Sequence, residues 1–211
     1  MDTNIGAKER VTQNRLIGLF RRVLKYTYLG NWEKREGNSN VEKEYLSAYL
    51  ARRGYTDKEI RGAIAKLKQA AGSFGGGLYN ANKEVYTLLR YGVNVQAEVT
   101  EKKKMVHLID WANPMENDFQ IAEEVTIHGT SDRRPDLVVY VNGIALAVIE
   151  LKRSTVSAHE GIRQNIRNQQ DGYIPRFFTT IQLLFAGNDT EASHKALRTA
   201  LSNEARTSRA S

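Results

Sequence analysis

Residues 136–150 hold two apolar runs, DLVVYV and IALAVIE, separated only by Asn142-Gly143. Asn-Gly between such runs is the strongest short-range hairpin signal, because both central residues of a type I′ turn need positive φ. Each run is apolar on both faces, which predicts a central strand pair covered on each side and not an exposed ribbon. A hairpin also brings the start of its first strand beside the end of its second. Asp136 is therefore expected near Glu150 and Lys152, the charged exit of the second strand. Glu150 and Lys152 are two apart and share a face.

Register decides whether Asp136 joins them. A plain two-residue turn pairs Asp136 with Ile149 and sends the aspartate to the opposite face. A three-residue loop over Val141–Gly143, or a bulge near Pro135, would bring all three charges onto one face. One of these two devices is expected. A regular turn without a bulge would count against a shared site.

Around this hairpin the chain reads as α/β. Val11, Leu16, Ile17, Phe20, Val23 and Leu24 recur at helical spacing over residues 8–27. The stretch YLGNWEKREGNSN interrupts, and Ser39 or Asn40 is placed to cap a second helix ending at Gly54. A third helix is predicted over 57–71, a flexible turn at GSFGGG, and a short helix or strand at NKEVYTLLRYG. From residue 94 the period shortens towards two, predicting strands in VNVQAEV, KKMVHLIDW, FQIAEEVTIHG and TIQLLFAGN, with a helix over 157–171. The expected layout is one domain over 1–211. It has a mainly helical part at 8–92, a mixed sheet at 93–190 with a crossover helix, and a polar tail or frayed helix at 191–211.

Composition narrows the function. With no cysteine among 211 residues, disulfides and thiolate metal sites are excluded. The four histidines stand singly, and no run approaches a membrane span. A formal charge of +7 favours a polyanionic partner, most simply nucleic acid. Two carboxylates and an amine gathered at a sheet end suit phosphodiester hydrolysis. Carboxylate oxygens are hard ligands for Mg²⁺, and an ammonium stabilises charge developing on the phosphate. Read blandly, the same residues are a charged hairpin end with a surface ion pair. Pro-Asp, the apolar hairpin and the terminal Glu-x-Lys together favour the nuclease.

Pro135-Asp136 followed by Glu150-Leu151-Lys152 resembles the PD-(D/E)xK nuclease superfamily. The longer string RRPDLVVYVNGIALAVIELKRSTVSAHEGIRQNIRNQ is similar to the amino-terminal region of type I restriction endonuclease R subunits. NDFQIAEEVTIHG, NVEKEYLSAYLARRGY and QLLFAGN extend the likeness over most of residues 8–190. The resemblance implies a restriction-endonuclease-like mixed central sheet flanked by helices. It implies that Asp136 and Glu150 ligate Mg²⁺, with Lys152 the catalytic lysine. The family's Gln-x-x-x-Tyr element maps best onto Gln164, although its tyrosine position is then Asn168. Gln169 with Tyr173 has the right spacing at the wrong distance. An additional acid from an early helix maps to Glu44, with Glu42 second, and Glu123 or Glu124 is a further candidate. Arg133, Arg134, Arg153, Arg163 and Arg167 form a basic rim suited to DNA phosphate.

The resemblance further implies methyltransferase and specificity subunits as partners and double-stranded DNA as substrate, while the lack of cysteine and of an apolar leader fits a cytoplasmic setting. R subunits hydrolyse ATP in motor domains, but the Gly-x-x-x-x-Gly-Lys-[Ser/Thr] loop is missing here, and GSFGGGLYN lacks its lysine. The chain is thus read as the nuclease portion alone. The competing reading is a catalytically silent DNA-binding or docking module with the same fold.

Overall fold

The computed structural model describes residues 5–96, 102–153, 155–188 and 192–196. Among the described residues, five α-helices and eight strands run in the order α1 (Ile5–Arg22), β1 (Thr27–Asn31), α2 (Lys43–Arg52), α3 (Asp57–Gly72), α4 (Gly77–Tyr91), β2 (Val93–Val95), β3 (Lys104–Val106), β4 (Phe119–Glu123), β5 (Leu137–Val141), β6 (Ile144–Leu151), α5 (Ala158–Arg167), β7 (Leu183–Gly187) and β8 (Ala192–Ala196). Six strands form one mixed sheet, β1-β4-β5-β6-β7-β8, and β2 pairs with β3 in a small second sheet. The hairpin strands β5 and β6 lie at the middle, as their two-sided apolarity requires.

Each face of that sheet has its own cover. Ile121, Leu137, Val139, Ala147, Ile149 and Leu151 pack towards Leu16, Ile17 and Phe20 of α1. On the other face, Ala122, Val138, Tyr140, Ala145, Val148 and Leu184 pack with Ile162 of α5 and with Phe177, Phe178 and Ile181 of the segment before β7. Burying each large side chain here contributes about 1.5–3 kcal/mol. Helices α2–α4 and the small sheet build a third apolar cluster, which reaches the main sheet at Ile144.

The hairpin solves its register by a device other than those anticipated. Asn142 (φ 54) and Gly143 (φ 80) make a two-residue turn with both φ positive, and Val141 pairs with Ile144. Pairing then slips: Tyr140 faces Ala145, but Val139 faces Ala147, leaving Leu146 as the extra residue of a bulge. Beyond it Val138 faces Val148 and Leu137 faces Ile149. The next step of that ladder sets Asp136 opposite Glu150, so the two acids share a face. The turn is thus the two-residue type, and the bulge sits inside β6 and not near Pro135.

Other departures have local causes. The helix expected over 8–27 ends at Arg22, and Thr27, the last residue of that expected span, opens β1, a short strand parallel to β4 that runs into the interrupting stretch. Glu42, not Ser39 or Asn40, is the N-cap of α2. NKEVYTLLRYG belongs wholly to the helix α4 and its Gly92 cap. The helix predicted over 157–171 ends at Arg167. Residues 192–196 are not tail but β8, antiparallel to β7; the rest of the expected tail lies outside the described residues. No described helix is long and apolar enough to cross a membrane.

Candidate active site

Three backbone features converge at the open end of the hairpin. The ladder continues past β5, with the Glu124 N–H donating to the Asp136 carbonyl at 2.9 Å. The Leu151 N–H donates to Asp136 Oδ2 at 2.6 Å, which fixes the carboxylate beside the end of β6. Helix α5, started by the Ser157 cap, passes directly over Glu150. A Cβ on Gly161 would lie 3.3 Å from Glu150 Cβ and 2.6 Å from Ala186 Cβ, so the helix approaches this closely only because position 161 has no side chain.

That approach lowers Gln164 onto the charges. Its Nε2 donates to Glu150 Oε2 at 2.9 Å, and its Oε1 accepts from Lys152 Nζ at 2.6 Å. One amide therefore holds both the acid and the amine, which themselves stand 3.9 Å apart. Glu150 is only 1% exposed, and its Oε1 is buried with no hydrogen-bond partner. Burial, above all, pushes its carboxyl well above the usual range, with the Asp136 charge adding to it and Lys152 opposing it. A buried carboxylate oxygen without a partner costs about 1–3 kcal/mol or more. Such an arrangement is favourable only when a cation or proton occupies it.

The donor set fits a hard divalent ion. Asp136 and Glu150 offer oxygen only, and among the described residues no group of three His, Cys, Asp or Glu side chains is placed to hold a metal. Two carboxylates leave room for water and phosphate oxygens, which is how Mg²⁺ is commonly held.

The remaining predicted residues divide clearly. Glu44 and Glu42 lie at the other end of the hairpin: the Glu42 N–H donates to the Gly143 carbonyl at 2.8 Å, and its carboxylate pairs with Arg35 at 2.6 Å. Seven residues of strand, about 23 Å, separate that turn from Glu150. The structure does not bring either acid to the cluster. Glu123 is buried under α1, accepting from Gln13 at 2.8 Å and from Tyr28 at 2.5 Å, and pairing with Arg10 at 2.9 Å. Burial first, and then the Glu123 carboxylate it donates to, push the Tyr28 hydroxyl up to about 12. Glu124, at φ 52, turns towards the site's rim and pairs with Arg134 at 2.9 Å.

Gln164 is the glutamine that meets the lysine. Gln169, buried in the turn that follows α5, instead donates back to the Asn165 carbonyl at 3.0 Å. Tyr173 lies under the Arg133 guanidinium, 4.1 Å from ring centroid to carbon. Of the basic rim, Arg134 is held by Glu124 and Glu33, Arg163 by Glu160, Arg153 is half-buried and Arg167 is exposed. Gly161 and Arg10 escaped the sequence reading. A glycine inside a helix costs about 1 kcal/mol, and that was the one available signal for Gly161.

The chain is similar to known proteins along most of its length. Residues 6–202 match the model of the family described as type I restriction enzyme R protein N terminus. A type I restriction enzyme endonuclease subunit (MjaIXP) of Methanocaldococcus jannaschii is 30% identical over 120 residues, covering 53% of this chain and 11% of that protein. The type I restriction enzyme SsaAORF53P endonuclease subunit of Staphylococcus saprophyticus is 29% identical over 94 residues, 44% of this chain and 10% of its own length. The chain thus spans about a tenth of the curated relatives it matches. With two-strand hairpin, crossover helix and Glu-x-Lys all in place, and with the family match running almost end to end, the chain belongs to the amino-terminal family of type I restriction enzyme R proteins.

Proposed function

We propose that this chain is the DNA-cleaving part of a type I restriction-modification R subunit, hydrolysing phosphodiester bonds with Mg²⁺ held by Asp136 and Glu150. The observation that carries the reading is the partnerless Glu150 Oε1, buried beside Asp136 and Lys152. When bound, Mg²⁺ supplies Lewis acidity to a phosphate oxygen and makes water a better nucleophile at neutral pH. The chain's own residues do the rest. The Leu151 N–H holds the Asp136 carboxylate in one orientation. Gln164 holds the Lys152 amine against drifting onto Glu150, so that its charge faces a phosphate passing into a pentacoordinate state. Desolvation of the site strengthens that interaction.

Nothing in the cluster reads bases, so sequence choice is assigned to separate specificity and methyltransferase subunits, and ATP hydrolysis to motor domains outside this chain. The protein is expected to act in the cytoplasm. The test is plasmid cleavage by the assembled R subunit complex: Glu150→Ala is expected to abolish nicking while DNA binding and ATP hydrolysis persist. Undiminished nicking by Glu150→Ala would return the chain to the silent-module reading.

A further inference from the structure

Two arginines precede Pro135, and their surroundings differ in charge. Arg134 is neutralised by Glu124 and Glu33. Arg133 is held only by neutral groups: its Nε donates to Asn168 Oδ1 at 3.1 Å, one terminal nitrogen donates to the Asp132 carbonyl at 2.7 Å, and its plane lies over Tyr173. The neighbouring Asp132 carboxylate is turned to His128 at 2.8 Å and to the Gly129 N–H at 3.2 Å. Among the described residues no carboxylate pairs with Arg133. Its charge is therefore fixed in place and not offset, the state a guanidinium needs to receive an anion at small ordering cost.

Its position is informative too. Asn168, the residue that orients Arg133, stands one turn after Gln164, the residue that orients Lys152. Four helical residues advance about 6 Å, and a DNA strand presents one phosphate per ~3.4 Å of helix axis. We propose that Arg133, clamped by Asn168 and Tyr173, binds a DNA phosphate one or two nucleotides from the bond that is cut. It is a positioning residue that seats the strand across Asp136 and Glu150. In this chain Asn168 thereby takes over the place four residues after Gln164, supporting an arginine where the resemblance led one to expect a tyrosine. The proposal rests on the nuclease reading for the identity of the neighbouring site.

The test is binding of the 211-residue chain to a short labelled duplex over a salt series, with Ca²⁺ replacing Mg²⁺, alongside Mn²⁺ binding followed by electron paramagnetic resonance. Arg133→Ala is expected to weaken DNA binding about tenfold and to lower the log–log salt slope by about 0.9, one phosphate contact, with Mn²⁺ affinity unchanged. Arg163→Ala, whose charge Glu160 already offsets, should change the slope by less than half as much. Tyr173→Leu should weaken binding while keeping the slope, since the charge stays but its clamp is loosened. Should Arg133→Ala unfold, Arg133→Gln retains a donor for Asn168 and carries the same slope prediction. A wild-type slope for these Arg133 variants in a chain that still binds Mn²⁺ overturns the assignment alone. A reduced slope in a chain that never binds Mn²⁺ would leave the phosphate contact standing and remove the nuclease reading beside it.

Discussion

The two ends of the β5–β6 hairpin are built from similar materials to opposite effect. At the turn, Asn142 is fully buried, yet its amide donates to the Leu108 carbonyl at 2.9 Å and to Asn117 Oδ1 at 2.8 Å, and accepts from the Asp118 N–H at 2.7 Å. Gly143 donates to Gln120 Oε1 at 3.1 Å and accepts from the Glu42 N–H. At the open end, Glu150 is as deeply buried but leaves one oxygen without a partner. A satisfied polar network specifies the fold, whereas a buried unpaired carboxylate oxygen beside a second acid is suited to a cation. The same chain thus contains a control for its own candidate site.

The largest separation between the two ends should come from Glu150→Gln. On the proposed reading Glu150 holds the cation, so removing its charge is expected to lower cleavage by about a thousandfold. Stability should move the other way. Because the folded-state carboxyl lies above its unfolded value, its favourable contribution is fully present below the unfolded carboxylate range, about pH 4.3. It is lost as pH rises through the raised folded value. Metal-free wild-type protein should therefore melt progressively lower than Glu150→Gln as pH increases from ~5 to 8, and saturating Mg²⁺ should close the gap. A pH-independent difference in melting temperature would refute this account of Glu150.

The turn end answers with stability alone. In Gly143→Ala the new Cβ would sit 2.8 Å from the Glu42 carbonyl oxygen and 2.9 Å from the Leu46 nitrogen, both backbone, at a φ of 80. Neither can yield cheaply, and a loss on the order of 3 kcal/mol or more is expected in denaturant melts. Asn142→Ala orphans the Asp118 N–H and the Leu108 carbonyl and should cost about 2–3 kcal/mol. Where either variant folds, Mn²⁺ affinity per folded molecule should equal wild type; a selective loss of metal binding would mean that the two ends are coupled.

How far the sequence disclosed this arrangement follows from the physics of each part. Asn142-Gly143 announces its turn because few other pairs tolerate two positive φ angles. The Leu146 bulge was invisible, since both faces of β6 are apolar and no alternation records the slip. Strands β1 and β8 lie at the sheet edges with polar or small residues, TYLGN and ASHKA, so neither carries the apolar run by which inner strands are read. Glu44 was misplaced for a related reason. Helical spacing tells which face of α2 is buried, not which end of a distant hairpin it will meet. Asp136, Glu150 and Lys152 were legible because one tight turn brings the two ends of the hairpin together. Gln164 was reached only through the resemblance, since no local pattern tells which residue of a crossover helix will face the sheet end.

The smallest predicted effect isolates the amide between the two charges. Gln164→Ala leaves Asp136, Glu150 and Lys152 intact, and Gln164 is only half-buried, so thermal stability should change little. What is lost is the pair of contacts, 2.9 Å to Glu150 and 2.6 Å to Lys152, that keeps the acid and amine apart. Lys152 is then free to close its 3.9 Å separation from Glu150 and form the ion pair that competes with a divalent cation for the same oxygens. Such outer contacts typically alter metal affinity or activity by about 10–100-fold, and here the loss should appear as a raised Mg²⁺ requirement. Plasmid cleavage titrated with Mg²⁺ checks it: activity recovered at high Mg²⁺ supports a positioning role, whereas a fixed deficit at saturating Mg²⁺ would make Gln164 a direct contact to the substrate.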